Sequence, residues 1–161
     1  MQRLTAKEYY SLKAPTLFSE KDYRCNNCFG LVRIGVHDYK FSWNSNLINP
    51  TIELLDSNIH GIGVDQHYCL LNSSSDVFYC WDLATNFLFT IVYERYVIVI
   101  CEINILFISL DSLKVEKEYM FTEIISDIRI ENHIMMITFI DDNELEIPID
   151  DKNNPFIKLW N

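Results

Sequence analysis

Glycine is absent from this chain after Gly63, and the whole sequence of 161 residues holds only four glycines and four prolines. Every tight turn beyond Gly63 must therefore be made by Asn, Asp or Ser, which tolerate the left-handed backbone region at some cost. Bases are also scarce: 13 Lys and Arg stand against 23 Asp and Glu, a formal net charge of −10. Phosphate recognition needs clustered cations. The nearest approach to a cluster, Lys7, Lys13, Lys21, Arg24, Arg33 and Lys40, is loose and diluted by acids, which argues against direct nucleic-acid binding. Long uncharged apolar runs are missing too. Glu94, Arg95 and Glu102 break the most apolar stretch, Phe87 to Leu110, into pieces too short to cross a bilayer, so no membrane segment is expected. No apolar secretion-signal core follows Met1, and the five cysteines are odd in number, so reduced thiols and a cytoplasmic location are expected.

A catalytic constellation is lacking as well. Nucleophilic catalysis needs a Ser or Cys placed by a base, and none of His37, His60, His67 and His133 lies in a nucleophile context. The expectation is a protein that is not an enzyme and takes no cofactor. Cys25 and Cys28 have the spacing of half a zinc knuckle, but a tetrahedral site needs two further ligands. His67 and Cys69 are the local pair that offers them, and no second C-x-x-C exists, so zinc is a weak candidate and free thiols the expectation. Asp141-Asp142-Asn143-Glu144 could present oxygens to calcium, yet lacks the EF-hand spacing and its glycine; it reads as a solvated hairpin turn.

What is present is a large apolar fraction, 49% hydrophobic with 14% aromatic, which predicts an ordered core in a single domain spanning 1–161. Thr5-Ala6-Lys7-Glu8 is a capping-box pattern that predicts a short helix over 5–13, ended by Pro15. From residue 29 to 150 the period is that of strands, and 152–161 reads as a tail. Leu31–Val36 and Tyr39–Trp43 flank His37-Asp38 as a hairpin turn, Thr51–Leu55 is a strand, and the glycines of Ile59–Val64 suggest a bend or bulge. Nine further runs rich in Ile, Val, Phe and Tyr follow, from Tyr68–Leu71 to Glu144–Ile149, separated by Asn-, Asp- and Ser-bearing turns.

A shift of 29 residues lays Tyr68–Leu71 on Val97–Ile100 and Val77–Trp81 on Leu106–Leu110, and a looser third copy runs from Ile134 to Asp150. Val77-Phe78-Tyr79-Cys80-Trp81-Asp82-Leu83 resembles the strand of a WD-repeat blade, although its Gly-His dipeptide is missing and His60-Gly61 is reversed. The chain is too short for a closed ring of such blades. The predicted fold is mainly β: an antiparallel meander of hairpins forming a sandwich or open propeller-like sheets, with one short N-terminal helix.

Charge is the strongest functional signal. Of the net −10, −9 falls between Glu116 and Asp151, and such one-signed charge steers association with a basic surface. Glu144, Glu146 and Asp150 alternate with Leu145, Ile147 and Ile149, which in a strand puts the carboxylates on one face. Asp141, Asp142, Glu144, Glu146, Asp150 and Asp151 are the predicted contact edge, with Glu116 and Glu118 on a second exposed strand.

A small acidic domain rich in Ile, Asn and aromatics, without a catalytic constellation, resembles in type the immunity proteins of bacterial polymorphic-toxin and contact-dependent growth-inhibition systems. The resemblance rests on size, charge and absence of motif, not on a signature, and transfers no residue. It implies a stoichiometric inhibitor of a cognate toxin domain, often a nuclease with a basic active cleft that a carboxylate-rich strand can occupy as a phosphate mimic. The alternative is a carbohydrate- or peptide-binding module using an aromatic face of Tyr39, Phe41, Trp43, Tyr79 and Trp81.

Overall fold

The computed structural model describes residues 1–20 and 28–149, and the backbone of 157–159. Local signals at the N-terminus act as the sequence predicts. β1 (Gln2–Leu4) leads into α1 (Ala6–Ser11) through Thr5, whose Oγ1 accepts from the Glu8 N–H while Glu8 accepts from the Thr5 N–H at 2.8 Å. Those bonds hold the Glu8 carboxyl below its ordinary pKa. The helix stops two residues before Lys13, with Leu12 already extended. No base lies in its last turn; instead Lys40 Nζ, from a distant strand, donates to the Tyr9 and Leu12 carbonyls at 3.1 and 2.8 Å.

Length alone suggests one domain; the chain divides into two compact units, Met1–Leu83 and Ala84–Asn161. In the first, β2 (Cys28–Ile34) and β3 (His37–Trp43) pair, with β1 on the outer side of β2. β4 (Thr51–Asp56), β5 (Ile59–Val64), β6 (His67–Asn72) and β7 (Val77–Asp82) form a second antiparallel meander. Both sheets contribute to one core, in which Phe41, Trp43, Ile62, Cys69 and Leu71 are fully buried.

The β2–β3 turn falls at Gly35-Val36, not at His37-Asp38. Gly35 has φ +62°, which glycine adopts without steric cost. The register is also fixed by size: a Cβ on Gly30 would lie 2.9 Å from the Phe41 ring directly opposite it. The same register sets Arg33 opposite Asp38, and the two form a two-pronged ion pair at 2.7 and 2.9 Å. The expected irregularity in Ile59–Val64 sits instead in its partner, between Leu54 and Asp56 of β4.

In the second unit, β8 (Phe87–Tyr93), β9 (Tyr96–Cys101), β10 (Asn104–Ser109) and β11 (Val115–Met120) form a meander, to which β15 (Ile157–Leu159) adds beyond β11. The segment expected to be a plain tail thus contains a strand. β12 (Ile125–Glu131), β13 (Ile134–Phe139) and β14 (Glu144–Pro148) make a three-stranded sheet. Alternate residues of the two sheets, among them Ile98, Ile105, Phe107, Tyr119, Met135, Ile137 and Ile147, fill a common core. The fold is therefore mainly β, four open antiparallel sheets of hairpins with one short helix. Among the described residues, no helix is long and apolar enough to cross a membrane.

The internal repeat matches hairpins, not sheets. β6–β7 lies at the edge of its sheet, and β7 alternates between exposed and half-buried positions; β9–β10 is interior and buried at every position.

Turns after Gly63 take positive φ at Asp65, Asp76, Asn132 and Asp142, the residue types expected, and also at Glu94, Leu113 and His133. The last three have no short side chain to offset the crowding, and such positions cost about 1–2 kcal/mol. At Glu94, where φ is +51°, Gly is expected to be more stable than Ala by about 1 kcal/mol, the reverse of their order inside a strand. Urea denaturation of Glu94→Gly and Glu94→Ala checks this, because both variants lose the same side chain.

Candidate functional site

Strand order separates the acidic residues into two groups. Glu116 and Glu118 lie on β11, which the β15 pairing makes an interior strand and not an exposed one. Glu116 accepts from Arg95 at 3.0 Å and from the Tyr96 hydroxyl at 2.9 Å. Glu118 is buried and accepts from Asn104 Nδ2 at 3.1 Å, and Asn104 in turn accepts from Thr85. Between them Lys117 points into the core, over the rings of Tyr96 and Phe107, and donates to the Ile149 carbonyl at 2.6 Å. Glu118 is thus enclosed in the fold, while Glu116 keeps about a third of its side chain exposed beside Arg95.

The other group is presented outward. On β14, Leu145 and Ile147 face the core while Glu144, Glu146 and Pro148 face solvent, as the alternation predicts. The register places Glu146 opposite Met136 and Pro148 opposite Ile134, and Met136 and Ile134 lie opposite Arg129 and Glu131 of β12. The outer face of this sheet is thus a half-buried strip of Ile134, Met136 and Thr138, flanked by Glu144 and Glu146 on one side and Asp127, Arg129 and Glu131 on the other. Its one base, Arg129, is held by Asp127 at 3.1 Å.

β14 is also an edge among the described residues. The Ile149 N–H bonds to His133 O and the Asn143 carbonyl accepts from Phe139 N–H, so odd-numbered residues pair with β13. The backbone groups of Glu144, Glu146 and Pro148 therefore point away from the sheet, and Pro148 has no N–H to leave unpaired. Asp141 is committed to the turn, where its carboxylate accepts from the Asn143 backbone and side-chain amides. Asp142 occupies the φ +64° position with an exposed side chain. Asp150, Asp151 and Cys25 lie outside the described residues.

Sequence reasoning missed a cleft at the same end of this unit. About 400 Å³ in volume, it is lined by Met120, Phe121 and Glu123 from the end of β11 and its connection, and by Phe139, Glu144 and Leu145 from the β13–β14 hairpin. Spacing along the chain could not join segments twenty residues apart; the only signal was an exposed acid, Glu123, beside an apolar run.

The remaining candidates are structural. His67 is buried, with Nδ1 3.1 Å from Asp82 and Nε2 2.9 Å from Glu20, and its ring stacks on Phe18. Both nitrogens are occupied, so the ring clamps the Phe18–Glu20 segment to the β6–β7 hairpin. Cys69 is buried opposite Cys80, and burial pushes its thiol well above the ordinary range; Cys101 is pushed up to about 12 by burial and by Glu118 and Glu102. Such thiols are poor nucleophiles. Cys28 Sγ contacts the Ser45 carbonyl. Among the described residues no three His, Cys, Asp or Glu side chains converge to hold a metal ion. Of the five candidate aromatics, Tyr39, Phe41 and Trp43 are at most 1% exposed and belong to the core, whereas Tyr79 is 43% exposed and Trp81 half-buried on β7. Comparison of the chain with family models and with curated proteins finds no match.

Tyr39 donates its hydroxyl to Asp76, and burial followed by that carboxylate raises its pKa from 10.0 to about 12. The folded state favours the neutral phenol, so the contribution is fully present below pH 10 and is lost as pH rises toward 12. Urea denaturation across that window should show stability falling in the native protein and falling less in Tyr39→Phe.

Proposed function

We propose that this protein is not an enzyme but a stoichiometric inhibitor of the immunity type, which binds and neutralises a cognate toxin domain in the cytoplasm. The observation that supports it best is the outer face of β12–β13–β14: exposed Glu144, Glu146 and Glu131 around half-buried Met136 and Ile134, with Arg129 already neutralised by Asp127. An apolar centre with a charged rim is the anatomy of a protein interface. A rim of one sign selects a partner of the other, and a nuclease groove built to hold phosphates is cationic.

The edge geometry favours the same partner. Two copies meeting at β14 would set carboxylates against carboxylates, whereas a basic surface meets them without that repulsion. The binding set is Glu144, Glu146 and Asp142, extended by Glu131; Asp141 contributes through the turn it holds.

The test starts at the neighbouring open reading frame, where a large secreted effector is expected; association with its toxin domain is measured, followed by co-expression to score protection of growth. Glu144→Lys with Glu146→Lys is expected to lower the on-rate about tenfold at low salt and to abolish protection, while the native on-rate falls steeply with ionic strength. Unchanged, salt-insensitive binding by the double variant sinks the reading.

A further inference from the structure

The cleft at the end of β11 has a chemistry of its own. Its floor is apolar: the Phe121 and Phe139 rings lie edge to face with centroids 5.6 Å apart, both nearly buried, beside half-buried Leu145. One wall is Met120, 47% exposed, an unbranched side chain that adjusts to what enters. Its mouth carries two carboxylates, Glu123 and Glu144, both exposed, and among the described residues neither has an ion-pair partner and no Lys, Arg or His lines the cleft. At about 400 Å³ it is at the small end of ligand pockets.

We propose that this cleft receives an arginine side chain presented by the basic partner protein. The proposal rests on the acidic-face reading for its source and adds to it a specific anchor. An arginine has the matching parts in the matching order. Its methylene stem lies along Met120 and Leu145, its flat guanidinium can rest on an aromatic ring, and its fixed fork of donors can meet two carboxylates. A lysine would bring the stem and the charge but a compact, strongly hydrated head, and a purely apolar side chain would leave both carboxylates without a counter-charge. Glu144 belongs to both the cleft and the outer face, so an anchored arginine would set the register of the partner along β14.

The probe is the capped tripeptide acetyl-Gly-Arg-Gly-amide, titrated into the isotope-labelled full chain and followed by backbone amide shifts. Saturable shifts confined to residues 120–123 and 143–145 are expected, with clearly weaker binding of the peptides carrying lysine, citrulline (the uncharged isostere) or norleucine in place of arginine. Glu123→Gln and Glu144→Gln should each weaken binding roughly fivefold. Equal binding of the citrulline or norleucine peptide, equal binding of the lysine peptide, or indifference to both substitutions would each overturn the proposal. Glu146→Lys, which lies outside the cleft, separates the two readings. If it abolishes association with the partner and leaves tripeptide binding intact, both stand. If partner association ignores it while the tripeptide still binds, the acidic-face reading falls and the cleft remains. If it abolishes association but the tripeptide never binds, only the cleft falls.

Discussion

Antiparallel pairing between strands that are neighbours in sequence is the constraint on which this structure depends. β2 with β3, the run from β4 to β7, the run from β8 to β11 and the run from β12 to β14 are each meanders, joined by short connections. Short connections leave the backbone little choice, and with no glycine after Gly63 several must force ordinary residues through positive φ. Leu113 and His133 are held there because the strands on either side are already paired and their inward residues already buried. The sheets impose the turn geometry, and the turns absorb the strain.

The same constraint distributes the charge. In a strand every second residue must face one way, so a run such as Val115-Glu116-Lys117-Glu118-Tyr119 cannot keep all its charges in water once the strand becomes interior. Lys117 is turned into the core and made tolerable by aromatic rings and the Ile149 carbonyl, while Glu118 is buried against Asn104. On β14 the identical alternation meets no covering layer among the described residues on its outer side, and Glu144 and Glu146 stay exposed. Acidic residues of the same stretch thus lie in different surroundings, decided by what packs against the face each one points to.

Much of the fold was legible. The capping box around Thr5 and Glu8, the succession of strand runs after Tyr68, and the inward and outward residues of β14 all follow from local pattern. The two clearest differences have local causes that pattern does not reveal. The β2–β3 turn moves to Gly35-Val36 because Gly35 supplies the left-handed residue and Gly30 makes room for the Phe41 ring across the strand. His67, which spacing offered only as a partner for Cys69, is claimed instead by Glu20 and Asp82 from either side. For the site, the carboxylates of the final hairpin could be named in advance, but the cleft beside them could not.

The sequence alone determined the mainly β class, the hairpin succession, the residue types of most turns and the acidic bias of the second half, because each follows from a period or a composition read within about ten residues. Only the tertiary structure decided the division into two units, the pairing of β15 with β11 and the burial of the aromatic run ending at Trp43. It also decided that Glu123 and Glu144 line one cleft with Phe121 and Phe139. These depend on which faces become covered, and coverage is set by contacts between segments far apart in the chain, which leave no periodic trace in either segment alone.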